Sequence, residues 1–182
     1  MAAMDDTDEE LVAQCQKGST RAFESLLHRY QPRVLRFIEG QIGNLEDARD
    51  VTQRIFLQVH GSISRFRPGS RFSPWLFTIA RRQGIDFLRQ AGSRRRVHEQ
   101  LLAEPKPDRE ADPQILLTQQ EEVDAIWHWI RTHLDERSAE ILWLRIQEDL
   151  DLSEIAKVTD LSKANVKVLL HRARKSLLKI FS

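Results

Sequence analysis

Residues 161–182 carry six basic side chains (Lys163, Lys167, Arg172, Arg174, Lys175, Lys179) and no acid. A helix over this stretch has a cationic flank along its whole length, and few environments other than polyanion or open solvent suit such a surface. The sequence just before it narrows the choice. Ser153 and Ser162 read as N-caps, because a serine oxygen accepts an otherwise orphan N–H at a helix start. Glu154, Ile155, Ala156 and Val158 then make a short helix, Asp160 and Leu161 a turn, and Lys163 opens the second helix. Small Ala156 permits a close crossing. This is a helix-turn-helix, and the basic second helix is the one that meets DNA. The competing view is a helical hairpin with a solvated basic face.

The rest of the chain is also helical in pattern. It has 182 residues, 7 Gly and 6 Pro, too few turn formers for an all-β fold. An apolar stripe at spacings of three and four runs through Ala22, Phe23, Leu26, Leu27 and Tyr30 after a start at Ser19. Asp8 is placed as the cap of a shorter helix bearing Leu11, Val12 and Cys15. Pro32 should bend or break the long one. Asn44 caps a helix with Val51, Ile55, Phe56 and Val59 inward. A loop turns at Pro68-Gly69. Ser73 caps the next helix with Pro74 at its first position, and Ala91-Gly92 closes it. Later stripes hold Val123, Ile126, Trp127 and Ile130, then Ile141, Leu142, Trp143 and Leu144.

Charge divides the chain. Residues 65–96 hold nine Arg and one acid, a balance of 9 − 1 = +8, and residues 97–124 hold eight acids and two bases, 2 − 8 = −6. Pro105, Pro107 and Pro113 sit in the acidic block, which reads as a flexible linker. The expected fold is all-α: two small helical domains, residues 1–96 and 121–182, joined by a flexible acidic linker at 97–120, the second containing the helix-turn-helix. The single Cys15 excludes an internal disulfide and reads as a buried structural thiol. No apolar run reaches the roughly 20 residues of a membrane span, and the acidic N-terminal stretch is unlike a signal peptide, so a cytoplasmic protein is expected.

Four passages, in order, resemble the extracytoplasmic-function (ECF) sigma factors, the small promoter-specificity subunits of bacterial RNA polymerase in the sigma-70 superfamily. They are Glu10-Leu-Val-Ala with Gly18, Ala22-Phe23-Glu24 and Tyr30; Asp47-Ala-Arg-Asp50 with Gln53 and Phe56-Leu57; Phe66-Arg-Pro-Gly with Phe72 and Trp75 through Arg81; and Leu152 through Arg174. The resemblance implies a first domain that docks on core polymerase and melts the −10 promoter element as single strand. It implies a second domain that reads duplex −35 DNA. An anti-sigma factor is the usual controlling partner.

Carried onto this chain, the core-binding residues are Asp47, Asp50, Gln53, Arg54 and Leu57. The family usually has an acid at Arg54 and often one at Arg49, so this surface is less acidic than expected. Arg67, Arg71, Ser73, Arg81 and Arg82 are assigned to the −10 strand; the family often has Asn at Arg82, which trades base reading for phosphate contact. Trp75 fits the apolar stripe and reads as core. Ser162, Lys163, Asn165, Lys167, His171, Arg172 and Arg174 are assigned to −35 DNA, with Asn165 suited to adenine and Lys167 to guanine. At Val168-Leu169 the family commonly has a small polar residue and Arg. Either these two form an apolar regulatory patch, or the helix rotates and buries Leu169.

The six histidines are scattered, and neither a metal-ligand set nor a P-loop is present. The reading is therefore a binding protein, not an enzyme, with no cofactor, no metal and no membrane insertion. The alternative is a stand-alone helix-turn-helix regulator, which leaves the +8 block without a task.

Overall fold

The computed structural model describes the backbone of residues 6–99 and 119–180, and side chains over 6–92 and 126–179. Most of the expected linker, 100–118, lies outside the described residues. Among those described there are eight α-helices, one 3₁₀ turn and no strand. The first part contains α1 (Asp8–Gln16), α2 (Thr20–Ile42), α3 (Leu45–Ser62), the 3₁₀ turn Ile63–Arg65 and α4 (Phe72–Glu99). The second contains α5 (Gln119–His133), α6 (Glu136–Ile146), α7 (Leu152–Thr159) and α8 (Lys163–Ile180).

Local chemistry sets the boundaries, and several of them depart from expectation. α1 is capped by Thr7, not Asp8: Thr7 and Glu10 form a reciprocal capping box, and Asp8 becomes a first-turn acid. Asp8 instead binds α1 to α2, accepting from the Tyr30 hydroxyl and from Arg29. α7 is capped by Asp151, whose carboxylate accepts from the N–H groups of both Ser153 and Glu154, so Ser153 lies inside the helix. Glu154 accepts in return from the Asp151 N–H, and this reciprocal capping box sets the boundary at Asp151. Pro32 does not end α2; it sits on the solvent-facing side, where water can take the carbonyl it leaves unpaired. Gly92 does not end α4, which continues to Glu99. The Asn44 and Ser162 caps form as expected, and Gly43 closes α2 in the left-handed region at φ 74°.

Leu26, Tyr30, Val34, Phe37 and Ile38 of α2 pack on Val51, Ile55 and Val59 of α3 and on Phe72, Leu76, Phe77 and Ala80 of α4. In the second part Trp127 and Ile130 meet Ile141, Leu142, Trp143 and Leu144, while Ile155 and Val158 of α7 meet Val166, Leu170 and Ala173 of α8. Cys15, expected to be buried, is only half-buried against the first core, where burial raises its thiol pKa. The two parts also pack on each other, α4 against α7 and α2 against α5 and α6.

Candidate nucleic-acid interface

The loop between the 3₁₀ turn and α4 is held at both ends by aromatic packing. Phe66 and Phe72 are buried, and Trp75 lies edge-on to Phe66 at 5.1 Å and tilted to Phe72 at 5.8 Å. The Gln16 amide donates to the carbonyls of Ile63 at 3.0 Å and Phe66 at 2.8 Å, tying α1 to the loop. Gly69 takes φ 77°, closed to most side chains, and completes the turn after Pro68. Trp75 thus belongs to the packing, as its place in the stripe indicates. Arg67 and Arg71 project from a loop with fixed ends.

The five residues assigned to the −10 strand separate into two groups. Arg67 and Arg82 are exposed. Arg71, Ser73 and Arg81 are engaged by acids of the second part. Arg71 Nη1 donates to Glu154 Oε2 at 2.8 Å, Ser73 Oγ to Glu148 Oε2 at 3.1 Å and Arg81 Nε to Glu140 Oε1 at 2.8 Å. Ser73 is not an N-cap, because α4 already starts at Phe72 and its hydroxyl is spent on Glu148. Arg33 of α2 completes the group, with Nε 3.1 Å from Glu148 Oε1 and Nη2 2.5 Å from Oε2.

Glu148 is the centre of this contact. Its side chain has no solvent exposure, and a carboxylate so placed is costly unless charge and hydrogen bonds surround it. Burial raises its pKa from the ordinary carboxyl value, opposed by Arg33 and Ser73. Glu140 behaves likewise: burial raises its pKa against the lowering effect of Arg81 and of the Gln41 amide, which donates at 3.2 Å. Two helical glycines, Gly84 within α4 and Gly40 in the last turn of α2, make room at the same junction. A Cβ on Gly84 would lie 2.1 Å from Gln41 Oε1, and one on Gly40 2.1 Å from Arg131 Nη1, which donates to the Arg36 carbonyl. Sequence reasoning missed Arg33, Gln41, Glu140, Glu148 and Glu154. Glycine at these two helical positions was the available signal.

The recognition helix is different. Val166, Leu170 and Ala173 are buried, and Leu169 and Leu177 pack partly against the core. Ser162, Lys163, Asn165, Lys167, His171, Arg172 and Arg174 are all exposed. Asp160 turns the chain in the left-handed region at φ 56°, and Ser162 Oγ accepts from Asn165 N at 3.2 Å. Val168 is 47% exposed, whereas Leu169 is half-buried against the core.

On α3, Asp50, Gln53, Arg54 and Leu57 are exposed at spacings that place them on one stripe, with Leu57 at 67%. Asp47 lies in the first turn, partly buried, with its N–H bonded to Asn44. Among the described residues no group of three or more His, Cys, Asp or Glu is placed to hold a metal, and no helix is long and apolar enough to cross a membrane.

This architecture has known counterparts. Sigma-70 region 2 matches residues 26–94 and Sigma-70, region 4 matches residues 132–177. The ECF RNA polymerase sigma-E factor of Haemophilus influenzae is 30% identical over 178 residues, covering 94% of this chain and 93% of that one. The RNA polymerase sigma-H factor of Pseudomonas aeruginosa is 29% identical, covering 93% and 91%. In fold, the chain is similar to CnrH, solved in complex with the cytosolic domain of CnrY (TM-score 0.67, 23% identity, 97% of each chain covered). It is also similar to the sigma factor RpoE of Bartonella quintana, solved with the anti-sigma factor NepR (TM-score 0.66, 18% identity, 89% and 98% covered). The chain belongs to the ECF RNA polymerase sigma factors, the subunits that direct core polymerase to promoters.

Proposed function

We propose that the two parts divide promoter recognition, and that the docked arrangement withholds one half of it. The observation carrying this reading is the contrast between a recognition helix with every assigned side chain exposed and a −10 surface in which Arg71, Ser73 and Arg81 are bonded to Glu154, Glu148 and Glu140. Residues 121–182 read duplex −35 DNA: Asn165 and Lys167 reach base edges, while Arg172 and Arg174 contact phosphate. Residues 1–96 bind core polymerase through the α3 stripe and hold the melted −10 strand on Arg67, Arg71, Arg81 and Arg82. Exposed Arg67 and Arg82 make first contact. Arg71 and Arg81 become available when the parts separate, exchanging carboxylates for phosphates. Binding and strand separation are the whole of its action, without covalent chemistry, in the cytoplasm where the polymerase works. An anti-sigma factor is the expected regulator, and Val168 is an apolar contact point on α8 for it.

Run-off transcription with core RNA polymerase on a genomic promoter library tests the reading. Discrete transcripts that core alone does not make are expected. A protein that binds promoter duplex but yields no such transcript, and does not bind core, is a stand-alone regulator instead.

A further inference from the structure

Glu148 meets two donors of the first part with one carboxylate. Arg33 Nη2 lies 2.5 Å and Ser73 Oγ 3.1 Å from the same oxygen, Oε2, while Arg33 Nε lies 3.1 Å from Oε1. A two-oxygen anion thus sits in a guanidinium fork with a hydroxyl beside it. The core of the first part sets this spacing. Tyr30 and Phe72 are buried and pack edge-on at 5.2 Å, which ties α2 to α4. Arg33 stands one helical turn beyond Tyr30, with its Cζ 4.7 Å from the centre of that ring, and Ser73 directly follows Phe72. These supports belong to the first part. The anion comes from the second, as does the Gln147 carbonyl that also accepts from Arg33 Nη2 at 3.2 Å. Separation of the parts therefore uncovers both donors and removes the acceptor they share.

We propose that Arg33 and Ser73 form a notch for one backbone phosphate of single-stranded promoter DNA, and that Glu148 occupies it in place of that phosphate. The inference rests on the reading of Arg71, Ser73 and Arg81 as a −10 surface and adds Arg33 to it. Arg33 lies on α2, outside the loop and helix to which −10 contacts were assigned. The two non-bridging oxygens of a phosphodiester can take the places of Oε1 and Oε2, and arginine is the side chain whose fork matches such a pair. Position agrees as well. Arg71, Ser73 and Arg81 are each covered by an acid of the second part, so a strand that replaces those acids passes the notch. The nearby opposing charge is Asp8, which disfavours the ionised form of Glu148, but Asp8 is itself engaged by Arg29 and the Tyr30 hydroxyl. A buried carboxylate at this point is costly, whereas a strand phosphate keeps one face in water, which favours the exchange.

The test uses the full chain in the Glu148→Ala background, which clears the notch. Binding of a mixed-sequence single strand is measured against salt concentration. Arg33→Ala is expected to weaken binding several-fold and to lower the salt slope by about 0.7, the value for one phosphate of a single strand. Arg33→Lys keeps the charge without the fork, so it should keep the slope and still bind several-fold more weakly. Ser73→Ala should weaken binding when Arg33 is present and much less when it is absent, because both donors serve one phosphate. Arg81→Ala in the same background separates this inference from the reading it rests on. If Arg81→Ala lowers the slope and a folded Arg33→Ala does not, the notch is overturned and the −10 surface stands. If neither lowers it, the −10 reading fails and the notch with it. Should Arg33→Ala misfold, Arg33→Lys decides, and binding equal to that of the Glu148→Ala parent overturns the notch. An oligoglutamate peptide that loses affinity in Arg33→Ala while the single strand does not would assign the notch to an acidic protein segment and overturn the proposal.

Discussion

The two surfaces proposed to face DNA are built from the same materials and held in opposite states. On α8 the apolar stripe of Val166, Leu170 and Ala173 faces the core, so every basic side chain is turned outward by helix periodicity alone. Nothing beyond α8 and its neighbours is needed to present it. On α4 the periodicity likewise orients Arg81, but what Arg81 meets is decided by a carboxylate 59 residues away. Burial in the recognition helix is a local property; engagement of the −10 surface is a property of how two parts dock. Changes to the docking face should therefore alter one DNA activity and spare the other.

The largest effect is expected at Glu148. Replacing it with Ala leaves Ser73 without its acceptor and Arg33, 32% exposed, with the Gln147 carbonyl alone, and should weaken docking by about 3 kcal/mol, the low end for breaking a buried pair. Energy transfer between labels on the two parts checks this. Glu148→Gln should cost much less, because it keeps an acceptor and burial already disfavours the charge. Next come the residues proposed to read bases. Asn165→Ala or Lys167→Ala should each lose roughly 1–3 kcal/mol of −35 duplex discrimination while leaving docking unchanged. Arg174→Ala should instead lower the salt dependence of duplex binding by a slope of about 0.9, with little change in sequence preference. Loss of docking in any of these three would show that the helix is tied to the first part.

Smaller effects should sharpen the same contrast. Arg71→Ala removes an ion pair whose cation is half-exposed, so docking should change by less than about 1 kcal/mol. The pH effect has a definite sign. Burial raises the pKa of Glu148 and Glu140 in the docked state, so that state binds protons more readily than the separated one. Docking should be strongest below the ordinary carboxyl range and weaken as pH rises through the raised values. Glu148→Gln should flatten part of that profile. A docked fraction that grows with pH over this window would mean that the arginines outweigh burial.

The all-α fold, the caps at Asn44 and Ser162 and the exposed face of α8 were legible because each depends on residues three or four apart. The misplaced boundaries have local causes too. Asp8 and Ser153 each stood beside a better cap, Thr7 and Asp151. Pro32 and Gly92 are helix breakers by propensity, yet both helices run through them. What the sequence hid was the partners of Arg33, Arg71, Ser73 and Arg81. Glu140, Glu148 and Glu154 fall among ordinary helix-surface and turn acids, and no periodicity connects them to Arg33, Arg71 or Arg81. Long-range pairing of this kind leaves only an indirect trace, here glycine at 40 and 84, where a side chain would collide with the junction.

The central claim is that the second part covers the −10 surface and leaves the −35 surface open. The most direct measurement compares wild type with Glu148→Ala for binding of a mixed-sequence single strand and of a mixed-sequence duplex, at one fixed salt concentration. The account predicts weak single-strand binding by wild type, a marked gain in the variant, and equal duplex binding by both. Equal single-strand binding by the two proteins, with the variant shown by energy transfer to be open, would contradict it.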